Sequence, residues 1–147
     1  MRGAYCLVIE LPEPCTLEIG ALGRHRFEKG VYVYVGSAQA GIHQRVARHR
    51  SPGKRLHWHI DRLLRRGEVV STMAIPCDEK ERECGVADAV SRADGASVPV
   101  EGFGSSDCSC PSHLFYFGDV DTPWAMESLA HALTFLPCAY ERARDRG

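Results

Sequence analysis

Val31-Tyr32-Val33-Tyr34-Val35-Gly36-Ser37-Ala38 is a run of β-branched and aromatic residues that gives way at a glycine. Such residues suit a pleated, buried surface, and their alternation puts Tyr32 and Tyr34 on one face. A matching strand lies upstream, from Gly3 to Leu11. There Tyr5, Leu7, Ile9 and Leu11 share one face, and Ala4, Cys6 and Val8 the other. Pro12 and Pro14 end it. Working outward, Thr16 to Ile19 is a weak strand, and Gly20 to Gly30 reads as a connection with a tight turn near Leu22-Gly23-Arg24. Gly41 to Arg50 is a short helix closed by Ser51-Pro52-Gly53, and Leu56 to Arg66 is a second. Val69 to Ile75 is strand-like. Asp78 can cap a third helix, with Glu81 completing a capping box, that runs to the region of Arg92. A Gly- and Ser-rich loop spans Gly102 to Pro111. His113 to Phe117 then reads as a buried strand. Pro123 to Phe135 reads as an amphipathic helix with Trp124, Ser128, Leu129, Ala132, Leu133 and Leu136 near its apolar side. The expected fold is α/β of the α+β kind: a small, mostly antiparallel central sheet flanked by helices.

The 147 residues suit a single domain, 1–147, with the loop, strand and helix of 102–137 packed onto it. Apolar and charged fractions are those of an ordinary globular protein. No apolar run approaches a membrane span. The first residues run straight into a strand pattern without a signal-peptide core, so a cytoplasmic protein with no membrane association is expected. Seven cysteines without a secretory signal read as reduced thiols, several of them buried. The net charge of −1 argues against bulk affinity for nucleic acid, yet the charge is unevenly spread. Between His43 and Arg66 lie Arg45, Arg48, Arg50, Lys54, Arg55, Arg62, Arg65 and Arg66 against one acid, Asp61. That stretch is either a phosphate-facing surface or a solvated helix face.

Two strings stand out together: Gly3-Ala4-Tyr5 on the first strand, and Tyr34-Val35-Gly36-Ser37-Ala38 at the end of the later one, followed by a helix with Arg45-Val46-Ala47-Arg48-His49. In order and spacing they resemble the GIY-YIG nuclease superfamily: a GIY strand, a YIG strand, an Arg in the next helix and a Glu in a later one. Further strings resemble one uncharacterised branch of that superfamily. They are His57-Trp58-His59-Ile60-Asp61, Glu83-Cys84, and Gly102-Phe103-Gly104-Ser105-Ser106-Asp107-Cys108-Ser109-Cys110 with His113-Leu114-Phe115. Members of that branch occur alone or fused to a base-excision DNA glycosylase-lyase. The resemblance runs from Gly3 to the region of Phe117, with Ala4 where the name-giving Ile would sit. It implies an Mg²⁺-dependent (or Mn²⁺-dependent) endonuclease acting on nucleic acid, DNA in the first instance, that leaves 5′-phosphate and 3′-hydroxyl ends. A DNA-repair setting, with a repair partner or a homo-oligomer for targeting, is expected on the same ground.

The residues can be read for that chemistry directly. Phosphodiester cleavage needs an activated water, a cation on the phosphate and stabilisation of developing charge. Tyr5 and Tyr34, side by side on a sheet, could orient or deprotonate a water. A phenol of pKa about 10 needs help from a metal or a cation to act as a base. Gly36 permits close backbone approach, and Ser37 stands beside it. Arg45 lies near the inward stripe of Ile42, Val46 and His49 and suits a phosphate, or else an ion pair with Asp61 or Glu83. Glu83 heads an apolar stripe with Val86, Ala87 and Val90, and is the expected metal ligand. Arg48, His49, Arg50, Lys54 and Arg55 are assigned to nucleic-acid contact. His57, His59 and Asp61 are supporting positions, with His57 and Asp61 spaced to hydrogen-bond. Cys108, Cys110 and His113, with Cys84, could hold structural zinc. Their spacing is not a standard one, however, and the favoured reading is an ordered loop. The alternative to an enzyme is a non-catalytic nucleic-acid-binding or zinc-stabilised interaction module on the same fold.

Overall fold

In the computed structural model, residues 3–38, 41–51, 58–76, 82–105, 108–134 and 136 are described. The order of elements is β1 (Gly3–Leu11), β2 (Cys15–Glu18), a 3-10 turn (Gly20–Leu22), β3 (Arg24–Phe27), β4 (Gly30–Ala38), α1 (Ile42–Arg50), α2 (His59–Leu63), β5 (Glu68–Pro76), α3 (Arg82–Ser91), β6 (Leu114–Tyr116) and α4 (Thr122–Leu133). Four strands form one antiparallel sheet in the order β5-β1-β4-β6, and β2 with β3 forms a separate hairpin. The expected α+β fold, an antiparallel sheet flanked by helices, is the observed one.

The two faces of the central strands bury two separate cores, as the alternation requires. Ala4, Cys6, Val8, Val31, Val33 and Val35 meet Val86, Ala87 and Val90 of α3 and Ala125 and Leu129 of α4. Tyr5, Leu7, Ile9, Tyr32 and Tyr34 meet Ile42 of α1, Ile60 and Leu63 of α2, Phe27 of the hairpin and Phe103 of the loop before β6. In β1 only Glu10 is exposed. A strand covered on both faces reads as a nearly continuous apolar run, which is why β1 and β4 are legible at sight. Each large side chain so buried stabilises the fold by about 1.5–3 kcal/mol.

Four elements differ from the sequence reading. Arg24-His25-Arg26-Phe27 is a strand, although only Phe27 of its four residues is buried. The turn imposes it: Ile19 N–H donates to Gly23 O across 2.8 Å, which sets Cys15–Glu18 against Arg24–Phe27. The second helix is described only from His59 to Leu63. The segment after residue 102 does more than pack onto the domain, because β6 pairs with β4 and completes the sheet. Trp124 is 42% exposed rather than on the apolar side of α4, and its ring lies over Gly95. The proposed Asp78–Glu81 cap lies outside the described residues, as do Lys54, Arg55 and His57. Among the described residues no helix is long and apolar enough to cross a membrane.

Candidate functional site

The β1–β4 register decides what meets at the N-terminal end of β1. Tyr5 pairs with Gly36 and Leu7 with Tyr34, so the two tyrosines are diagonal neighbours on one face. A Cβ on Gly36 would stand 2.4 Å from Cζ and from Oη of Tyr5. The glycine therefore makes room for the Tyr5 ring, and the expected approach of a ligand to the Gly36 backbone is corrected: the phenol occupies that space. Tyr34 is covered by the loop, where Gly104, at φ +70°, brings its backbone against the ring. Ser37, the next residue of β4, is half-buried.

Helix α1 delivers His49 and Arg45 to the phenols. His49 is 2% exposed, and its Nε2 lies 2.7 Å from Tyr5 Oη. Its ring also packs at 6.1 Å from Tyr34 and 5.9 Å from Trp58. His49 thus stands with the tyrosines, on the inward stripe that the spacing gives, and is too buried for the direct nucleic-acid contact also expected of it. The reason is the helical period, which puts it on the inward stripe with the buried Ile42. Arg45 is half-buried, with its guanidinium 4.5 Å from the Trp58 ring centroid. Among the described residues it has no carboxylate partner.

Asp61 pairs instead with Arg48. The two guanidinium nitrogens of Arg48 donate to Asp61 Oδ1 at 3.0 Å and to Oδ2 at 3.2 Å, and Asp61 Oδ2 also accepts the Trp58 N–H at 2.9 Å. Asp61 is fully buried, so it needs this compensation. Arg48 lies 4.2 Å from the Trp58 ring as well. Its guanidinium thereby ties α1 to α2. Arg50 is exposed, as a surface contact requires. His59 holds the loop, accepting the Gly104 N–H at Nδ1 across 2.9 Å. Burial and the nearby Arg62 lower its pKa.

Glu83 stands in the first turn of α3, above the buried Val86, Ala87 and Val90 as the stripe predicts. Its Oε1 lies 2.9 Å from Nδ1 of the buried His113. The contact is at ion-pair distance but off the line of a good hydrogen bond. The carboxylate is close enough to act on both phenols. Burial is the main cause that pushes Tyr5 and Tyr34 well above the ordinary tyrosine range; Glu83 adds to it in both, and Arg45 opposes it in both. Tyr5, Tyr34, Arg45 and Glu83, far apart in the chain, therefore lie towards one end of the sheet. With the phenols almost covered, Arg45 and Glu83 are the members that solvent reaches. Both phenols are proton donors in this setting, and neither is a base by itself.

A second cluster adjoins the first. The ligand atoms of Cys84, Cys108, Cys110 and His113 all lie within 4.8 Å of one another, an arrangement that could hold a metal ion. The set that the sequence offered is brought together: Cys84, twenty-four residues before Cys108, comes from a different element and joins the loop residues. The residues that sequence reasoning underrated are His49, Trp58 and His113. A signal existed for Trp58 in the His57-Trp58-His59 string. The pairing of His113 with Glu83 is a tertiary contact with no local trace. A cleft of about 620 Å³ lies at the opposite end of the sheet, beside Glu10, Lys29, Glu68 and Asp121, away from both clusters.

These features define a small α+β domain with a Tyr-Tyr-Arg-Glu constellation at one sheet end and a Cys3His cluster beside it. The chain belongs to the family described as domain of unknown function DUF123, which matches residues 4–134. No curated protein and no solved structure matches it.

Proposed function

We propose that this protein is a metal-dependent endonuclease that hydrolyses phosphodiester bonds in nucleic acid, DNA in the first instance. The observation that carries the reading is geometric: Tyr5 and Tyr34 are diagonal neighbours on one sheet face, both against His49 of α1, the helix that also carries Arg45. One cation, one carboxylate and two hydroxyl donors at a single point are what in-line attack on a phosphodiester needs. The resemblance of Gly3-Ala4-Tyr5 and Tyr34-Val35-Gly36 to the GIY-YIG superfamily supports it.

Arg45, unpaired with any carboxylate among the described residues, would hold the non-bridging phosphate oxygens. Tyr34 would donate to the same phosphate. Tyr5 would orient the attacking water, taking its proton while passing the Tyr5 Oη proton to His49 Nε2 over the 2.7 Å contact. The new bond forms from the water oxygen to phosphorus. The bond to the 3′ oxygen breaks, and that oxygen takes a proton from a solvent water, leaving a 5′-phosphate and a 3′-hydroxyl. Glu83 fits an Mg²⁺ or Mn²⁺ ion, because it is a solvent-reached carboxylate, and one carboxylate with phosphate oxygens and waters is a usual Mg²⁺ donor set. Bound there, the ion would neutralise charge that develops on the phosphate. A DNA-repair role, and a partner or second copy that supplies targeting, go with the family resemblance.

Supercoiled plasmid nicking with Mg²⁺ tests the reading. The expected result is nicking by the wild type that falls by about 10²-fold or more in Arg45→Ala, with binding to DNA largely kept. A non-catalytic module, which the structural character of the Cys3His cluster would also suit, would bind nucleic acid and leave the plasmid intact.

A further inference from the structure

The Cys3His cluster joins three elements. Cys84 is in the first turn of α3, Cys108 and Cys110 are in the loop after Phe103, and His113 stands at the head of β6. The neck of that loop is fixed without them. Gly102 N–H donates to Pro111 O at 2.7 Å, and His113 N–H to Phe103 O at 2.8 Å. The His113 carbonyl accepts from Val35 N–H of β4 at 2.8 Å, which sets the histidine beside the tyrosine site. The three thiols are near enough to hydrogen-bond with one another, and Cys108 Sγ lies 3.6 Å from His113 Nε2.

We propose that these four residues bind one structural zinc ion, and that the zinc positions the Glu83 carboxylate through His113. Three thiolates and one imidazole are a closed tetrahedral zinc set with no open position. With Zn–S bonds of about 2.3 Å the sulfurs stand about 3.8 Å apart, so ligand atoms within 4.8 Å need only small movements. Magnesium and calcium prefer oxygen donors, and an iron–sulfur cluster of the common kind takes four cysteines. Binding displaces one proton from each thiol, and the ion and three thiolates together carry a charge of −1.

The histidine has one ring nitrogen for each neighbour. Nε2 faces Cys108 and is the ligand atom; Nδ1 faces Glu83 Oε1 at 2.9 Å. Ligation at Nε2 fixes the proton on Nδ1, so the N–H faces the carboxylate at 2.9 Å and needs only a small turn of the Glu83 side chain to donate to it. A metal-bound histidine that gives its other N–H to a carboxylate is a recurrent arrangement, and losing the carboxylate weakens metal binding by about 10–100-fold. Cys84 adds a second tie, since it follows Glu83 directly in the helix. The zinc site stands on its own geometry. Only the use made of the positioned Glu83 rests on the nuclease reading.

The test uses the full chain, purified under reducing conditions. Elemental analysis is expected to give one zinc per chain, and exchange with Co²⁺ the absorption bands of a tetrahedral thiolate site. Cys110→Ser should lose the tight zinc. Should that variant fail to fold, the decisive comparison is Glu83→Gln, which alters no ligand. It should keep one zinc per chain but yield it to a chelator with about 10-fold weaker affinity. Asp88→Asn, the same charge change on an exposed part of α3, should match the wild type. Absence of zinc and of cobalt bands in the wild type overturns the site. Unchanged zinc affinity in Glu83→Gln overturns the coupling. A zinc-loaded chain that cuts nothing overturns the nuclease reading alone.

Discussion

Replacing Gly36 by alanine is a one-methyl perturbation aimed at the centre of the constellation. The new Cβ would stand 2.4 Å from Cζ and Oη of Tyr5, whereas an ordinary contact is 3.4 Å or more. The ring must therefore move by about 1 Å, and it has no slack: Tyr5 is 1% exposed and its hydroxyl is held 2.7 Å from His49 Nε2. Overpacking of this kind costs about 1–3 kcal/mol, and stranding the buried hydroxyl and imidazole adds about 1–3 kcal/mol. A loss of about 2–5 kcal/mol is expected in urea unfolding, with a fall in Tm of about 2–4 °C per kcal/mol for a domain near this size. A double-mutant cycle separates this cause from general damage. In a Tyr5→Ala background the obstructing ring is gone, so Gly36→Ala should cost under about 0.5 kcal/mol. If Gly36→Ala is as stable as the wild type, or costs the same with and without the Tyr5 ring, the glycine is not there for the phenol and the packing argument is refuted.

Three further outcomes follow from the same contacts. Asp61→Ala leaves the Arg48 guanidinium and the Trp58 N–H without their shared acceptor and should cost about 3–5 kcal/mol in urea unfolding, far more than a surface acid such as Asp88. His59 has a lowered pKa in the folded protein, so its contribution to stability is complete above the ordinary histidine value and is lost as the pH falls below it. Protonation removes the acceptor for Gly104 N–H, so the protection of that amide, taken relative to its intrinsic exchange rate at each pH, should fall as the pH drops below about 6.5, and His59→Asn should abolish that loss of protection. Tyr5→Phe keeps the ring and removes the hydroxyl. It strands the buried His49 Nε2 and should cost about 1–3 kcal/mol of stability, yet lower cleavage by about 10²-fold or more.

The sheet was legible because β1 and β4 are apolar on both faces, but that same two-sided pattern leaves their register open, and the pairing of Tyr5 with Gly36 shows only in the fold. The amphipathic helices α1 and α3 followed from their spacing, and with them the inward sides of His49 and Glu83. Arg24–Phe27 was not legible, because a turn and not its own side chains makes it a strand. The partners of Arg48 and Glu83 were hidden for a different reason. Residues thirteen apart, Arg48 and Asp61, or thirty apart, Glu83 and His113, carry no local signature of pairing. Cys84 could be named beside Cys108, Cys110 and His113 from the sequence, but the spacing matches no standard motif, and that their ligand atoms meet shows only in the fold.

The most direct test is single-turnover cleavage by the purified full chain with Mg²⁺, on a panel of branched, flapped, damaged and single-stranded DNA. The wild type should cut at least one member of the panel, and Glu83→Gln, of the same shape without the charge, should cut it at least about 10²-fold more slowly with its melting curve nearly intact. Rates that are equal in the two proteins, or no cleavage of any substrate by the wild type, would contradict the claim that two phenols, one guanidinium and one carboxylate form a hydrolytic site.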